Sequence, residues 1–190
     1  MTKTVGLIVG SLRKNSFTRA VAEQMAAQLP DGFTVKPIDI SKLDLYNQDL
    51  DDENRAPQSW TDFRNEMKNV DAVIFATPEY NRSVPGALKN ALDVGSRPYG
   101  ESIWDQKPAI ILSVSPGAIS GFGANHHLRQ SLVFLNMPTI QQPELYIGNV
   151  TNILDDNLKI TNEGTLKFLG GAMQTFAKFI NKLVASHPLN

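Results

Sequence analysis

The chain has 190 residues, and at about 150 residues a domain this length predicts a single domain over residues 1–190. Hydrophobic residues make up 42% of the chain, enough for one core, while a formal net charge of −1 provides no electrostatic basis for binding nucleic acid or an anionic membrane surface. The chain has no cysteine, which excludes disulfide bonds, thiolate catalysis, iron–sulfur clusters and cysteine-ligated zinc.

Short apolar segments of strand length alternate with longer segments of helical periodicity along the chain. The apolar runs predict five β-strands, at residues 5–10, 33–38, 70–77, 109–114 and 140–147. Apolar residues that repeat at three- and four-residue intervals predict five helices, at residues 17–29, 60–68, 85–94, 122–135 and 165–184. The polar stretch 41–57 is longer than most connections between a strand and a helix, so we interpret it as a candidate functional loop.

Alternation of buried strands with helices is typical of a parallel sheet that is covered on both faces. We therefore predict a doubly wound α/β fold with three layers. In such a fold, ligands bind beyond the carboxyl ends of the strands, near the point where the strand order reverses. Three connections follow predicted strands at that edge, and we name them the first loop (residues 10–19), the second loop (78–86) and the third loop (113–123).

The first loop carries donors that suit a phosphate group. Ser11, Ser16 and Thr18 supply hydroxyl groups, and the N–H groups at the start of the following helix add the positive end of its dipole. The guanidinium of Arg13 suits a phosphate dianion, which it binds through two hydrogen bonds. The loop has neither the P-loop pattern nor the three glycines of a dinucleotide fingerprint, which disfavours nucleoside triphosphates. A serine-capped helix with exposed basic residues explains the same residues.

The second loop combines an aromatic side chain with an amide. Tyr80 offers a ring face, and Asn81 offers a group that both donates and accepts hydrogen bonds, which together suit a flat heteroaromatic ligand. Pro78 and Pro85 bracket the loop and stiffen it. A proline-delimited loop with a tyrosine facing solvent is equally compatible with this sequence. Glu79 has no second carboxylate at a suitable spacing, so we do not interpret it as a general base.

The third loop is rich in small residues. Its three glycines and three serines allow the backbone to approach a ligand closely. Taken alone, the loop is compatible with a purely structural turn. Because all three loops are expected at the same edge of the sheet, a shared binding site is the better interpretation.

Three segments of the chain resemble the NADPH-dependent FMN reductases, which are flavodoxin-like enzymes that include quinone, azo-dye and chromate reductases. The segments are GSLRKNSFTR at residues 10–19, PEYNRSVPGALKNALD at 78–93 and SPGAISGFGANHHLRQ at 115–130. The resemblance implies a flavodoxin-like doubly wound sheet of five parallel strands in the order 2-1-3-4-5, with helices on both faces.

The same resemblance implies FMN as the bound cofactor and NADPH, or NADH, as the electron donor. The residues that it assigns to FMN fall into three groups, and it implies no catalytic residue and no metal ligand. The phosphate group is assigned to Ser11, Arg13, Ser16, Phe17 and Thr18, the isoalloxazine ring to Pro78, Glu79, Tyr80 and Asn81, largely through their backbone, and the ribityl side to Ser115 and Gly117.

The implied reaction is transfer of a hydride from the nicotinamide, by way of bound FMN, to a quinone, an azo compound, free flavin or a similar acceptor. Such chemistry requires no acid–base pair from the protein, and the sequence has no recognisable one. Family members are commonly homodimers or dimers of dimers with the flavin near the interface, so we expect a homodimer or homotetramer. We also expect Tyr46 to reach the flavin of a neighbouring subunit. A flavodoxin-type electron carrier is the alternative, and the net charge of −1 and Arg13 argue against it.

Other kinds of site have less support. Ser120 lacks the spacing of the G-x-S-x-G turn of hydrolases. His126 and His127 point in different directions on a helix and His187 lies near the C-terminus, so we expect no metal site, and the acidic run 49–53 lacks the spacing of a calcium loop. The N-terminal segment does not resemble a signal peptide and no apolar run is long enough to cross a bilayer, so we expect a cytoplasmic protein.

Overall fold

The computed structural model describes residues 2–186, and side chains up to residue 183. Strands and helices alternate along this part of the chain. The strands are β1 (Lys3–Val9), β2 (Phe33–Ile38), β3 (Ala72–Thr77), β4 (Ala109–Val114) and β5 (Leu145–Ile147). The helices are α1 (Phe17–Ala26), α2 (Gln48–Asp52), α3 (Gln58–Lys68), α4 (Gly86–Gly95), α5 (Phe122–Phe134) and α6 (Glu163–Ser186), with one 3-10 turn at Val150–Asn152.

The five strands form one parallel sheet in the order β2-β1-β3-β4-β5. The chain runs outward from β1 to β2 and then returns to the other side of β1 with β3. The strand order therefore reverses between β1 and β3, which is where a doubly wound fold opens a crevice for ligands. This sheet confirms the predicted α/β class and the flavodoxin-like strand order.

Side chains alternate between the two faces of the sheet, so each central strand contributes to two cores. Ala72, Ile74 and Ala76 of β3 pack in the core that contains α1 and α6, whereas Val73 and Phe75 pack in the core that contains α3, α4 and α5. Both β3 and β4 are buried along their whole length. Because neither face meets water, their sequences are continuous apolar runs instead of alternating ones.

The edge strand β5 is shorter than the sequence predicts. A strand was expected over residues 140–147, and the structure has one at Leu145–Ile147, preceded by a single bridge between Ala109 and Thr139. Pro143 lies between the bridge and the strand and has no N–H to donate to β4, which interrupts the hydrogen-bond ladder. Most other predicted bounds differ from the structure by one or two residues, and α1 ends at Ala26 instead of at residue 29.

The stretch 41–57, expected to be a loop, contains the helix α2. Asn47 caps this helix by accepting the N–H of Asp49 at 3.1 Å. Five residues are too few to show helical periodicity, so the sequence pattern does not predict it. Arg64 of α3 joins α2 to α3 through two hydrogen bonds of 2.8 Å to the carboxylate of Asp51.

Gly95, the last residue of α4, lies against the fully buried indole of Trp104. A Cβ atom at position 95 would lie 2.5 Å from Nε1 of Trp104, and that N–H donates to the carbonyl of Leu92 at 3.0 Å. Because this bond holds the indole in place, we expect Gly95→Ala to lower the free energy of unfolding in urea by about 1–3 kcal/mol. The control is Gly171→Ala in α6, where an added Cβ would have no atom within 4 Å apart from the adjacent backbone of the helix. We expect it to raise the free energy of unfolding by about 0.5–1 kcal/mol, and equal effects of the two substitutions would contradict the contact.

Candidate functional site

The three loops meet at the carboxyl edge of the sheet because they follow the adjacent strands β1, β3 and β4. The N–H of Gly10 donates to the carbonyl of Ala76 at 2.8 Å, and a Cβ on Gly10 would lie 3.5 Å from Cδ of Pro78. These contacts bring the first loop beside the second. A Cβ on Gly123 would lie 2.7 Å from the carbonyl oxygen of Arg82, so the third loop touches the second from the other side.

The first loop presents hydroxyl and N–H donors at the N-terminus of α1. Ser16 is the N-cap, and its Oγ accepts the N–H of Arg19 at 3.1 Å. Ser11 and Thr18 are each 3% exposed, and within the described part of the chain their hydroxyls have no hydrogen-bond partner. The N–H groups of Phe17 and Thr18 belong to the first helical turn and have no intrahelical acceptor. Ser16 thus caps α1, as expected for a serine-capped helix. The hydroxyls of Ser11 and Thr18 remain beside it as donors.

Arg13 adds an uncompensated positive charge to these donors. Its side chain is exposed, and its guanidinium carbon lies 5.6 Å from the centroid of the Phe17 ring, a cation–π distance. Among the described residues Arg13 has no ion-pair partner, whereas Arg19 lies 3.9 Å from Glu23. The first loop itself contains no acidic residue. Two hydroxyls, first-turn N–H groups, a guanidinium and the positive end of a helix dipole together fit a phosphate group.

The second loop is a two-residue hairpin turn. Tyr80 and Ser83 exchange backbone hydrogen bonds of 2.9 and 3.0 Å, and the residues between them, Asn81 and Arg82, have φ values of 52° and 65°. Left-handed backbone at both central positions is typical of a type I′ turn. Tyr80 is 46% exposed, and the side-chain amide of the exposed Asn81 forms no hydrogen bond within the described part of the chain. Both groups are accessible to a ligand and to solvent alike.

The carboxylate of Glu79 contacts the start of α5. Oε2 accepts the N–H of Ala124 at 3.1 Å, Oε1 lies 3.3 Å from Nη1 of Arg82, and the side chain is only 13% exposed. The carboxylate therefore joins the second loop to the helix that follows the third. The backbone of Glu79 is the part that remains for contact with a ligand.

Hydrogen bonds within and beneath the third loop fix its conformation. Oγ of Ser115 accepts the N–H of Gly117 at 3.0 Å, which leaves Gly117 exposed at the surface. Two buried side chains support the loop through contacts that the sequence does not reveal: Ser113 donates to the carbonyl of Ser120 at 2.8 Å, and Nδ2 of Asn125 donates to Oγ of Ser113 at 3.3 Å. A serine at a strand end and an asparagine in a helix carry no signal of such a contact.

Comparison with known proteins decides the family. Residues 3–152 match the model of a family described as NADPH-dependent FMN reductase. The chain belongs to this family. As a member it is an oxidoreductase that uses FMN and a reduced nicotinamide, which confirms the family, the class of enzyme and the cofactors expected from the resemblance.

Relatives match this FMN reductase over nearly their whole length. A quinone reductase of Pseudomonas putida is 51% identical over 177 residues, which cover 93% of this chain and 94% of that protein. A 2-hydroxy-1,4-benzoquinone reductase of a Burkholderia species is 39% identical over 180 residues, 95% of this chain and 97% of that protein. Among solved structures, FerB, a flavoenzyme NAD(P)H:(acceptor) oxidoreductase of Paracoccus denitrificans, superposes with a TM-score of 0.87 at 35% identity, covering 95% of this chain and 98% of that one.

Tyr46 of this FMN reductase packs against Trp60 of its own chain and is partly exposed, and its expected reach to the flavin of a neighbouring subunit stays a prediction. Its ring centroid lies 5.2 Å from that of Trp60, and its hydroxyl is buried near Asp51 and Arg97. Burial, with the nearby charge of Asp51, raises the pKa of Tyr46.

A groove of about 1200 Å³ lies between α4 and α5, beside the second loop. None of the residues that the resemblance assigns to FMN lines this groove, which touches the second loop at Ser83, Val84 and Gly86. Leu92 and Leu135 contribute apolar surface to it. Tyr99 and Phe134, also in its lining, are 92% and 89% exposed. The groove is therefore a separate surface feature of this FMN reductase.

The histidines make ordinary side-chain contacts. Nδ1 of His127 lies 2.9 Å from Oγ of Ser83, and Nε2 of His126 lies 3.1 Å from the hydroxyl of Tyr146. Burial raises the pKa of that Tyr146 hydroxyl to about 12. Over residues 2–186 no group of three or more histidine, aspartate or glutamate side chains is placed to hold a metal ion, and His187 lies outside the described residues.

Proposed function

We propose that this FMN reductase passes a hydride from NADPH or NADH, through FMN bound across the three loops, to a quinone or a similar small acceptor. The observation that carries this proposal is the meeting of three loops of complementary chemistry at one edge of the sheet. The names of two relatives, quinone reductase and 2-hydroxy-1,4-benzoquinone reductase, favour a quinone over an azo compound or free flavin.

The phosphate of FMN would bind to the first loop. Ser11 and Thr18 would donate through hydroxyls that have no other hydrogen-bond partner in the described part of the chain. Ser16 accepts one hydrogen bond as the cap of α1, and its own O–H is still free to donate. Phe17 would contribute its N–H and hold the guanidinium of Arg13, which would offset the charge of the dianion.

The ring and the ribityl chain would lie along the other two loops. The backbone of the hairpin turn and the exposed turn after β4 suit a planar ligand that is recognised mainly through N–H and C=O groups. The residues proposed for these contacts are Pro78, Glu79, Tyr80 and Asn81 along the isoalloxazine, and Ser115 and Gly117 along the ribityl side.

The chemistry that FMN supplies when bound is hydride transfer from the nicotinamide followed by two-electron transfer to the acceptor. The chain's own residues bind and orient the two reactants and provide N–H donors toward negative charge. The hairpin between Tyr80 and Ser83 and the first turn of α5 are fixed elements suited to that task. None of these side chains has to transfer a proton, so we assign no catalytic residue.

A turnover assay tests this proposal. We expect the chain restored with FMN to oxidise NADPH or NADH in the presence of 1,4-benzoquinone, and the same chain stripped of flavin to be inactive. FMN that binds without supporting any nicotinamide oxidation would contradict the proposal and indicate a flavodoxin-type electron carrier. Parallel assays with an azo dye and with free FMN rank the acceptor classes.

We also infer that the protein acts in the cytoplasm as a homodimer or homotetramer. Tyr99 and Phe134, which are strongly exposed and line the groove between α4 and α5, support self-association. Over residues 2–186 the structure contains no helix that is both long and apolar enough to cross a membrane. Light scattering during size-exclusion chromatography measures the oligomeric state, and a monomer at micromolar concentration would contradict the inference.

A further inference from the structure

We propose that Glu79 is a positioning residue of the flavin site, acting through its carboxylate. The carboxylate would tie the second loop to the first turn of α5 and so set the place of the Tyr80–Asn81 turn relative to the third loop. The tie itself is a contact within the chain, and only its consequence for flavin rests on the proposed function.

The helix α5 has no N-terminal cap of its own. Gly121 occupies the N-cap position with a φ of 71°, and it has no side chain to accept a hydrogen bond from the first turn. Glu79, which precedes the helix by more than forty residues, accepts the N–H of Ala124 instead. A carboxylate at this position also interacts favourably with the positive end of the helix dipole. Glu79 therefore replaces the missing cap from a different loop.

The hairpin of the second loop rests directly on the same helical turn. A Cβ on Gly123 would lie 2.7 Å from the carbonyl oxygen of Arg82 and 3.0 Å from Oε2 of Glu79. A larger residue at position 123 would therefore push the hairpin away from α5. The close approach and the hydrogen bond are two separate observations, and both place the second loop against the start of this helix.

A second contact joins Ser83, on the other side of the hairpin turn, to α5. Oγ of Ser83 lies 2.9 Å from Nδ1 of His127, about one helical turn beyond Ala124. The ion pair between Glu79 and Arg82 is a poorer tether, because the Arg82 side chain is 71% exposed and water screens it. Of these side chains, the mostly buried Glu79 is thus the one that reaches a backbone group of the neighbouring helix.

The consequence concerns the ring of the flavin and not its phosphate. Binding sites lose affinity when a contacting loop can shift by about 1 Å, since the contacts no longer form together. Glu79 holds the loop proposed for the isoalloxazine, whereas the phosphate donors lie on the first loop. A change at Glu79 should therefore weaken FMN and riboflavin, which lacks the phosphate, by the same factor.

Amide hydrogen exchange on the 190-residue chain tests the contact between Glu79 and α5 without reference to flavin. We expect Glu79→Ala to speed exchange of the Ala124 N–H by about fivefold, the usual scale for loss of a helix cap. Glu79→Gln keeps an acceptor oxygen and should restore protection, and Arg82→Ala, which removes only the exposed ion pair, should leave it unchanged. Unchanged exchange in Glu79→Ala would overturn the inference.

Flavin titrations of the same variants test the consequence. We expect Glu79→Ala to weaken FMN and riboflavin alike, by about tenfold, with a shift of the bound flavin's visible bands, and Glu79→Gln to recover most of the loss. Gly123→Ala should show the same pattern, with Gly171→Ala as the control. A loss confined to FMN, or no loss, would overturn the inference. Failure of the unchanged chain to bind either flavin would instead reject the proposed function. The exchange experiment would still decide whether Glu79 holds the second loop against α5.

Discussion

Arg13→Ala is expected to weaken FMN binding by about tenfold to a hundredfold and to leave riboflavin binding unchanged. A hydrogen bond to a charged group is worth about 1.5–3 kcal/mol, and the guanidinium is the formal positive charge that Phe17 holds beside the hydroxyls of the first loop. Among the described residues it has no anionic partner, so its removal costs the folded chain little. Fluorescence titration of the flavin-free chain with each flavin measures both affinities.

The neighbouring lysine provides the control for charge alone. Lys14→Ala removes the same formal charge from the same exposed loop, and we expect its effect on FMN affinity to stay within about threefold, the scale of a screened surface interaction. Raising the ionic strength should shrink the effect of Arg13→Ala only in part. If Arg13→Ala weakened riboflavin as much as FMN, the phosphate would have to bind elsewhere.

Asp51→Ala is expected to lower the free energy of unfolding by about 3–5 kcal/mol. The carboxylate forms two hydrogen bonds of 2.8 Å with Arg64, and the two side chains are 6% and 10% exposed. The guanidinium also donates to the carbonyl of Val94 at 3.0 Å and lies 5.5 Å from the Trp60 ring, so it is not free to move into water. Loss of the aspartate therefore leaves a buried charge unpaired. Urea denaturation at neutral pH measures the change.

Two further variants separate the cost of an unpaired charge from general sensitivity of this region. Glu53→Ala breaks the pair with Arg55, whose side chains are 56% and 61% exposed, and should change the free energy of unfolding by less than about 1 kcal/mol. Replacing both buried partners, with Asp51→Leu and Arg64→Met together, should recover most of the stability lost in Asp51→Ala. If Asp51→Ala lowered the free energy of unfolding as little as Glu53→Ala does, water would have to reach the buried pair.

The sheet could be predicted because its central strands carry an unambiguous signal. Six consecutive buried residues in β3 and in β4 leave no polar face, and this happens only where helices cover both sides. The edge strand and the short helix could not be predicted as well. Pro143 interrupts the pairing of β5, and α2 depends on a tertiary contact from Arg64 that no local pattern reveals.

The fold indicates where the candidate site lies, and residue types indicate the donors proposed for it. The hydroxyls of the first loop lie where the strand-to-helix connection puts them, at the N-terminus of α1. The hairpin was not foreseen, because Asn81-Arg82 lacks the glycine that marks most turns of this type. The role of the Glu79 carboxylate could not be foreseen either. Its partner is a backbone N–H, which nearly every residue has, and so no spacing of side chains indicates it.

The most direct test of the central claim is the anaerobic visible spectrum of the chain restored with FMN, recorded before and after NADPH is added. We expect the bands of oxidised flavin to bleach with NADPH and to return when a quinone is added. Arg13→Ala should give the same cycle once enough FMN is supplied to fill the site. A chain that binds no FMN at any concentration would contradict the claim that the three loops at the carboxyl edge of the sheet form the flavin site.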